Sequence, residues 1–140
     1  NLDTVSQTFG VQLLVVMTWL SSEGEASRND DEDEWRPKWV PAYRIKSVME
    51  QNEPEVFFSL EEHGGFQYVR LEAHHRVRIF ERLELEAFPH DCQDLAIEIE
   101  SVMTTNQVVW LPPLEGSCVD LCKDRCYLSE FRANTDQHCQ

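Results

Sequence analysis

A chain of 140 residues with 26 acidic and 12 basic side chains carries a net charge of −14, which disfavours nucleic acid and anionic lipid surfaces as partners. Its 41% apolar and 10% aromatic content is that of a globular chain and excludes global disorder, and its length suits one domain with a core of its own. The acidity then serves solubility, or meets a cation or a basic partner surface.

The first element in chain order is a strand over residues 3–20, where Phe9, Val11, Leu13, Val15, Met17 and Trp19 alternate onto one face. The longest apolar run of the chain, Val11–Leu20, lies within it and falls well short of the ~20 residues a transmembrane helix needs. Residues 21–34 form an acidic loop ending in Asp30, Asp31, Glu32, Asp33 and Glu34. That run lacks the spacing and the glycine of a calcium loop, so a solvated loop is expected and no metal site. Trp35 to Pro41 is turn-rich and aromatic, and Trp19, Trp35 and Trp39 are expected to pack between layers. A short strand over Ala42–Val48 and a loop over 50–54 follow.

Glu55–Leu60 reads as a strand, and Glu61-Glu62-His63-Gly64-Gly65 as the turn of a β-hairpin. From Val69 to Ala87 the odd positions are mostly apolar and the even ones mostly charged, which is the period of a half-buried strand. The pattern weakens at Phe80-Glu81-Arg82, so two strands, or one sharply bent strand, are expected. His75 falls on the apolar face as a satisfied core histidine, and His74 on the outer face. Pro89 ends pairing because it has no backbone donor. Alternation returns at Leu95, Ile97 and Ile99, and Val108–Leu111 reads as a short strand stopped by Pro112-Pro113. A further strand is possible around Tyr127–Arg132. Short strands with frequent turns indicate an all-β, antiparallel sandwich or barrel with little helix.

Five cysteines are many for a reducing compartment, and Cys118, Cys122, Cys126 and Cys139 cluster in the segment 116–140. One or two disulfides are expected among these four, and the odd count leaves at least one thiol free or paired between chains. The spacing fits neither a zinc site nor an iron–sulfur site, so no metal and no cofactor are assigned. Cys92 beside His90 and Asp91 does not make a nucleophile: neighbours in one turn cannot arrange as a triad, and no phosphate-binding glycine loop is present. An enzyme is not expected.

Four segments, in order, carry a family resemblance over residues 3–101. They are Ser6-Gln7-Thr8-Phe9 with Val11 and Trp19; Trp39-Val40-Pro41; Gly64-Gly65-Phe66-Gln67-Tyr68; and Leu83-Glu84-Leu85-Glu86-Ala87-Phe88-Pro89-His90-Asp91-Cys92-Gln93. Together they resemble the extracellular ligand-binding domain of pentameric ligand-gated ion channels, the Cys-loop receptor superfamily. The two cysteines that flank the signature loop in animal receptors are replaced by Glu81 and Leu95, as in early-branching members. The resemblance implies an immunoglobulin-like β-sandwich, incomplete at both ends, with the family's first strand, last hairpin and four membrane helices outside this sequence. It implies a homo-oligomer, a pentamer, on the extracellular face of a membrane or secreted, reaching the membrane only through a pore domain that this chain does not contain.

By the same resemblance a small ligand would sit between subunits, and Phe88, Pro89 and Asp91 would pass its effect to the pore. Leu14, Lys46 and Gln107 stand at or near the places where cholinergic members carry aromatic residues, so no ammonium-binding aromatic box is expected. Arg44, Lys46, Arg70 and Gln107 are instead candidates to contact an anionic or zwitterionic ligand, or are ordinary rim residues. A secreted pore-less binding protein and an assembly module without a ligand remain as alternatives.

Overall fold

The computed structural model describes residues 2–3, 5–22, 35–82 and 95–116. It is all-β, with no helix among these residues: β1 (Leu2–Asp3), β2 (Thr8–Leu20), β3 (Tyr43–Ile45), β4 (Val48–Gln51), β5 (Glu55–His63), β6 (Phe66–Phe80) and β7 (Ile99–Ser101). β6 is the central strand of the larger sheet. On one side it pairs antiparallel with β2 over the whole of β2, from Thr8↔Phe80 to Leu20↔Tyr68. On the other side β5 pairs with its first part and β4 with its last, and β1 adds two residues beyond β2. β3 and β7 pair antiparallel as a separate two-stranded sheet.

The alternation in β6 decides which face is core. Val69, Leu71, Ala73, His75, Val77 and Ile79 are buried, whereas Arg70, Glu72, His74, Arg76, Arg78 and Phe80 are exposed or half-buried. β2 contributes Phe9, Val15 and Met17 to the same face. Tyr43 of β3 packs on one half of this core with Trp19 and Phe58, and Ile45 packs on the other half with Val11, Leu13, Val48 and Leu95. The small sheet therefore covers the apolar face of the large one, an arrangement consistent with a β-sandwich. Trp19 and Trp39 meet edge to face with centroids 5.8 Å apart, so these two tryptophans do pack against each other.

The hairpin between β5 and β6 turns at Gly64 and Gly65, with φ of 59° and 81°. Two consecutive positive φ values make the tight primed turn that suits strand twist, and space is not the constraint because a Cβ at either glycine would meet nothing within 4 Å.

Several strand boundaries differ from those expected. The strand expected over residues 3–20 is interrupted: the Asp3 carboxylate accepts the backbone N–H of Val5 (3.0 Å) and Ser6 (3.2 Å), and Gln7 has φ of 52°, so pairing with β6 begins only at Thr8. The strand expected over Ala42–Val48 is divided by Ser47, whose φ of 55° carries the chain from the small sheet to the large one. The N–H of Phe80 donates to the Ser47 carbonyl at 2.9 Å and fixes that crossing point. β5 runs three residues past the expected Leu60, to His63.

Leu95 and Ile97 lie outside β7, because their would-be partner β3 ends at Ile45 just before the chain leaves the small sheet. Val108–Leu111 is not a strand; no strand lies beside it among the described residues, and Val109, Trp110 and Leu111 are exposed. β6 ends at Phe80, where the pattern weakens, and the further strand expected up to Ala87 lies outside the described residues from Leu83 on. The acidic run Asp30–Glu34, the loop residues Phe88, Pro89 and Asp91, the cysteines Cys92, Cys118, Cys122, Cys126 and Cys139, and the strand expected at 127–132 lie outside the described residues.

Burying a side chain of the size of Leu or Ile is worth about 1.5–3 kcal/mol, and truncating it adds a cavity cost. Leu71→Ala in the core is expected to lower the unfolding free energy by about 2–5 kcal/mol in urea denaturation. Leu14→Ala on the outer face of β2 should stay within about 0.5 kcal/mol of wild type. Equal losses for the two would contradict the facing assigned to these strands.

Candidate functional site

Arg44 and Lys46 project from the β3 edge of the small sheet, and the register of β3 with β7 brings them to two carboxylates. Arg44 lies across from Glu100 and its guanidinium Nε donates to the Glu100 carboxylate. The backbone N–H of Lys46 continues the ladder to the Glu98 carbonyl at 2.9 Å. Its ammonium reaches Glu98 Oε2 at 2.7 Å and Glu100 Oε2 at 3.5 Å. Hydrogen bonding to Glu98 and the charges of Glu98 and Glu100 raise the Lys46 pKa, while the bond from Arg44 holds the Glu100 carboxyl below its usual value. Two cations and two carboxylates alternate here, so the cluster is neutral as a whole. An anionic ligand would have to displace a carboxylate already in place.

The other candidates are elsewhere. Arg70 is on the outer face of β6, where its guanidinium binds Glu72 Oε1 at 2.7 Å and Glu61 Oε1 at 3.2 Å; the Glu72 bond chiefly raises its pKa. Leu14 shares that outer face, opposite His74, and is 54% exposed. Gln107 closes a turn, its Oε1 accepting the Thr104 backbone N–H (3.2 Å) and the Thr104 hydroxyl (3.1 Å). Within one chain the structure thus joins Arg44 to Lys46, sets Leu14 and Arg70 on a different sheet, and gives Gln107 a local structural role. Each of the three cations is matched by carboxylates: Glu98, Glu100 and Glu61 are brought by strand register, whereas Glu72 lies two residues from Arg70 on the same strand.

The polar arrangement that sequence reading missed lies between the sheets. His75, 6% exposed, sits on the inner face of β6. Its Nε2 is 2.6 Å from the Tyr43 hydroxyl of β3, and its Nδ1 is 3.3 Å from the Gln51 amide nitrogen of β4. With the Gln51 amide donating to Nδ1, the ring proton resides on Nε2 and the Tyr43 oxygen accepts it. The alternation placed His75 in the core; its partners, 32 and 24 positions away in sequence, carried no sequence signal.

Burial lowers the His75 pKa and raises that of Tyr43, so both groups are held neutral. Beside them an open cleft of about 350 Å³ lies between the two sheets, lined by this trio, by Arg44, and by apolar side chains that include Val56, Phe58 and Leu71. Among the described residues no group of His, Cys, Asp or Glu side chains could hold a metal ion. In comparisons with known proteins, no family model and no curated protein matches the chain.

A depressed histidine pKa makes folding sensitive to acid. Above the unfolded value of about 6.5 the ring is neutral in both states and stability is full. As pH falls below that value the unfolded chain binds a proton that the folded chain refuses, so stability drops until the lower folded pKa is passed. Urea denaturation between pH 7.5 and 5 should show a steeper loss for wild type than for His75→Gln, which has no ring to titrate. Parallel profiles for the two would contradict the buried neutral assignment.

Proposed function

We propose that the chain is the extracellular ligand-binding and gating domain of a pentameric ligand-gated channel homologue, with an immunoglobulin-like sandwich of the ligand-binding-domain type. In this reading a small ligand is captured between subunits, and the domain reaches the membrane through a pore domain. The observation that carries the reading is topological. The segment with Phe88-Pro89-His90-Asp91-Cys92-Gln93 connects β6 of the large sheet to β7 of the small one. A segment resembling the family's signature loop therefore joins the two layers, where a shift of one sheet against the other would pull on it. Phe88, Pro89 and Asp91 are the residues proposed to pass that pull onward.

The order of the four similar segments over residues 3–101 supports the same reading, as does the all-β two-layer architecture. From Val11 onward no strand pairs with the second side of β2 among the described residues, and β2 carries no charged side chain. Long uncharged edges invite pairing, and a neighbouring subunit is one way to cover this one. The engagement of Arg44, Lys46 and Arg70 with carboxylates favours a second reading: an assembly module of the same fold in which these cations are structural.

Native mass spectrometry and sedimentation tests the assembly that both readings need. A species of five times 16.4 kDa is expected. A strict monomer at the highest attainable concentration would remove the basis for ligand capture between subunits.

A further inference from the structure

The cleft between the sheets belongs to a single chain, and nothing in the subunit-interface reading uses it. Its apolar wall comes from both layers: Val56, Phe58, Leu71 and Ala73 from the large sheet and Ile45 from the small one. Its polar groups are the Gln51 amide, the Tyr43 hydroxyl and the His75 ring, gathered in one place by the hydrogen bonds that link them. An apolar cleft of this size with a few convergent polar groups, one of them a nearly buried histidine, has the composition of a small-molecule site.

The chemistry of the lining selects the occupant. Among the described residues that line it, the one charged side chain, Arg44, has its guanidinium on the Glu100 carboxylate, and His75 is held neutral with uncharged partners. Among these described residues an anion would find no unengaged cation and a cation no carboxylate, so either would lose hydration without compensation. A cavity of about 150 Å³ holds a benzene ring, so 350 Å³ has room for roughly a dozen non-hydrogen atoms. We infer that this cleft binds an uncharged amphiphile of that size, a ring or branched hydrocarbon bearing one hydroxyl or amide. The hydrocarbon lies against Val56, Phe58 and Leu71, and the polar group exchanges hydrogen bonds with the Gln51 amide and the Tyr43 hydroxyl, which His75 holds in place from both ring nitrogens.

The test uses the 140-residue chain at neutral pH with benzyl alcohol as probe, and benzoate and benzylamine as charged counterparts of similar shape. Methyl resonances of Ala73 and Val56 should shift saturably with benzyl alcohol, and both charged counterparts should bind at least about tenfold more weakly. Val56 and Val16 are each 41% exposed but lie on opposite faces of the large sheet, so they make a matched pair of substitutions. Val56→Trp should fill the cleft and weaken benzyl alcohol binding by at least about tenfold, and Val16→Trp should change it less than about twofold.

Absence of a saturable Ala73 shift in wild type would overturn the inference whether or not the Val56 variant folds. So would undiminished binding by a folded Val56→Trp, or benzoate or benzylamine binding as tightly as the alcohol. The described lining of the cleft comes from one chain, so a monomer should bind the probe as a pentamer does. Loss of the assembly reading and loss of this one are thus separately observable.

Discussion

The structure depends on one strand being hydrogen-bonded on both sides while its side chains alternate without interruption. β6 meets β2 along one side and β5 and β4 along the other, so its backbone groups are satisfied within the sheet and its inner side chains are driven under the second layer. A slip of one residue would send Val69, Leu71, Ala73, Val77 and Ile79 to solvent and bring Arg70, Glu72, Arg76 and Arg78 to the core. That penalty fixes the register of every strand bound to β6. It also fixes which side chains of β2 meet the small sheet, and hence where Trp19, Phe9 and their neighbours pack.

The small sheet is held differently. Two short strands share one ladder, and a two-stranded sheet is marginal unless it packs on something. It relies on Tyr43 and Ile45 inserted into the apolar face, and on the Tyr43–His75 hydrogen bond that crosses between layers. Burying a titratable ring at that crossing makes the contact between layers depend on a neutral histidine. The same crossing borders the open cleft, so packing, acid sensitivity and small-molecule access meet at one place. The chain crosses between layers three times, from β2 to β3, at Ser47 between β3 and β4, and between β6 and β7, and these segments are the covalent links.

Much of the large sheet is legible in the sequence because its signals are local. Alternation in Val69–Phe80 and Phe9–Trp19, and the glycine pair at the hairpin, each specify structure through neighbours in the chain. What was not legible depends on partners far away. Nothing near Ser47 announces that a non-glycine residue will take a left-handed conformation and switch sheets. Leu95 and Ile97 alternate as a strand would, yet have no strand beside them among the described residues because β3 has already ended. The site was still less legible. Arg44 and Lys46 look available until the register sets Glu98 and Glu100 against them, as it adds Glu61 to the Glu72 that Arg70 already meets along its own strand, and His75 gains its role only from Tyr43 and Gln51.

The central claim is that β6 is the stable spine and the β3–β7 sheet a separately opening layer held to it by side chains. Native-state amide hydrogen exchange tests this most directly, because it resolves local from global opening. The account predicts that amides of β6 between Val69 and Ile79 exchange only with global unfolding. Those of Tyr43–Ile45 and Ile99–Ser101 should exchange measurably faster through an opening that leaves β6 protected. Equal protection of both sheets, or earlier exchange in β6, would contradict it.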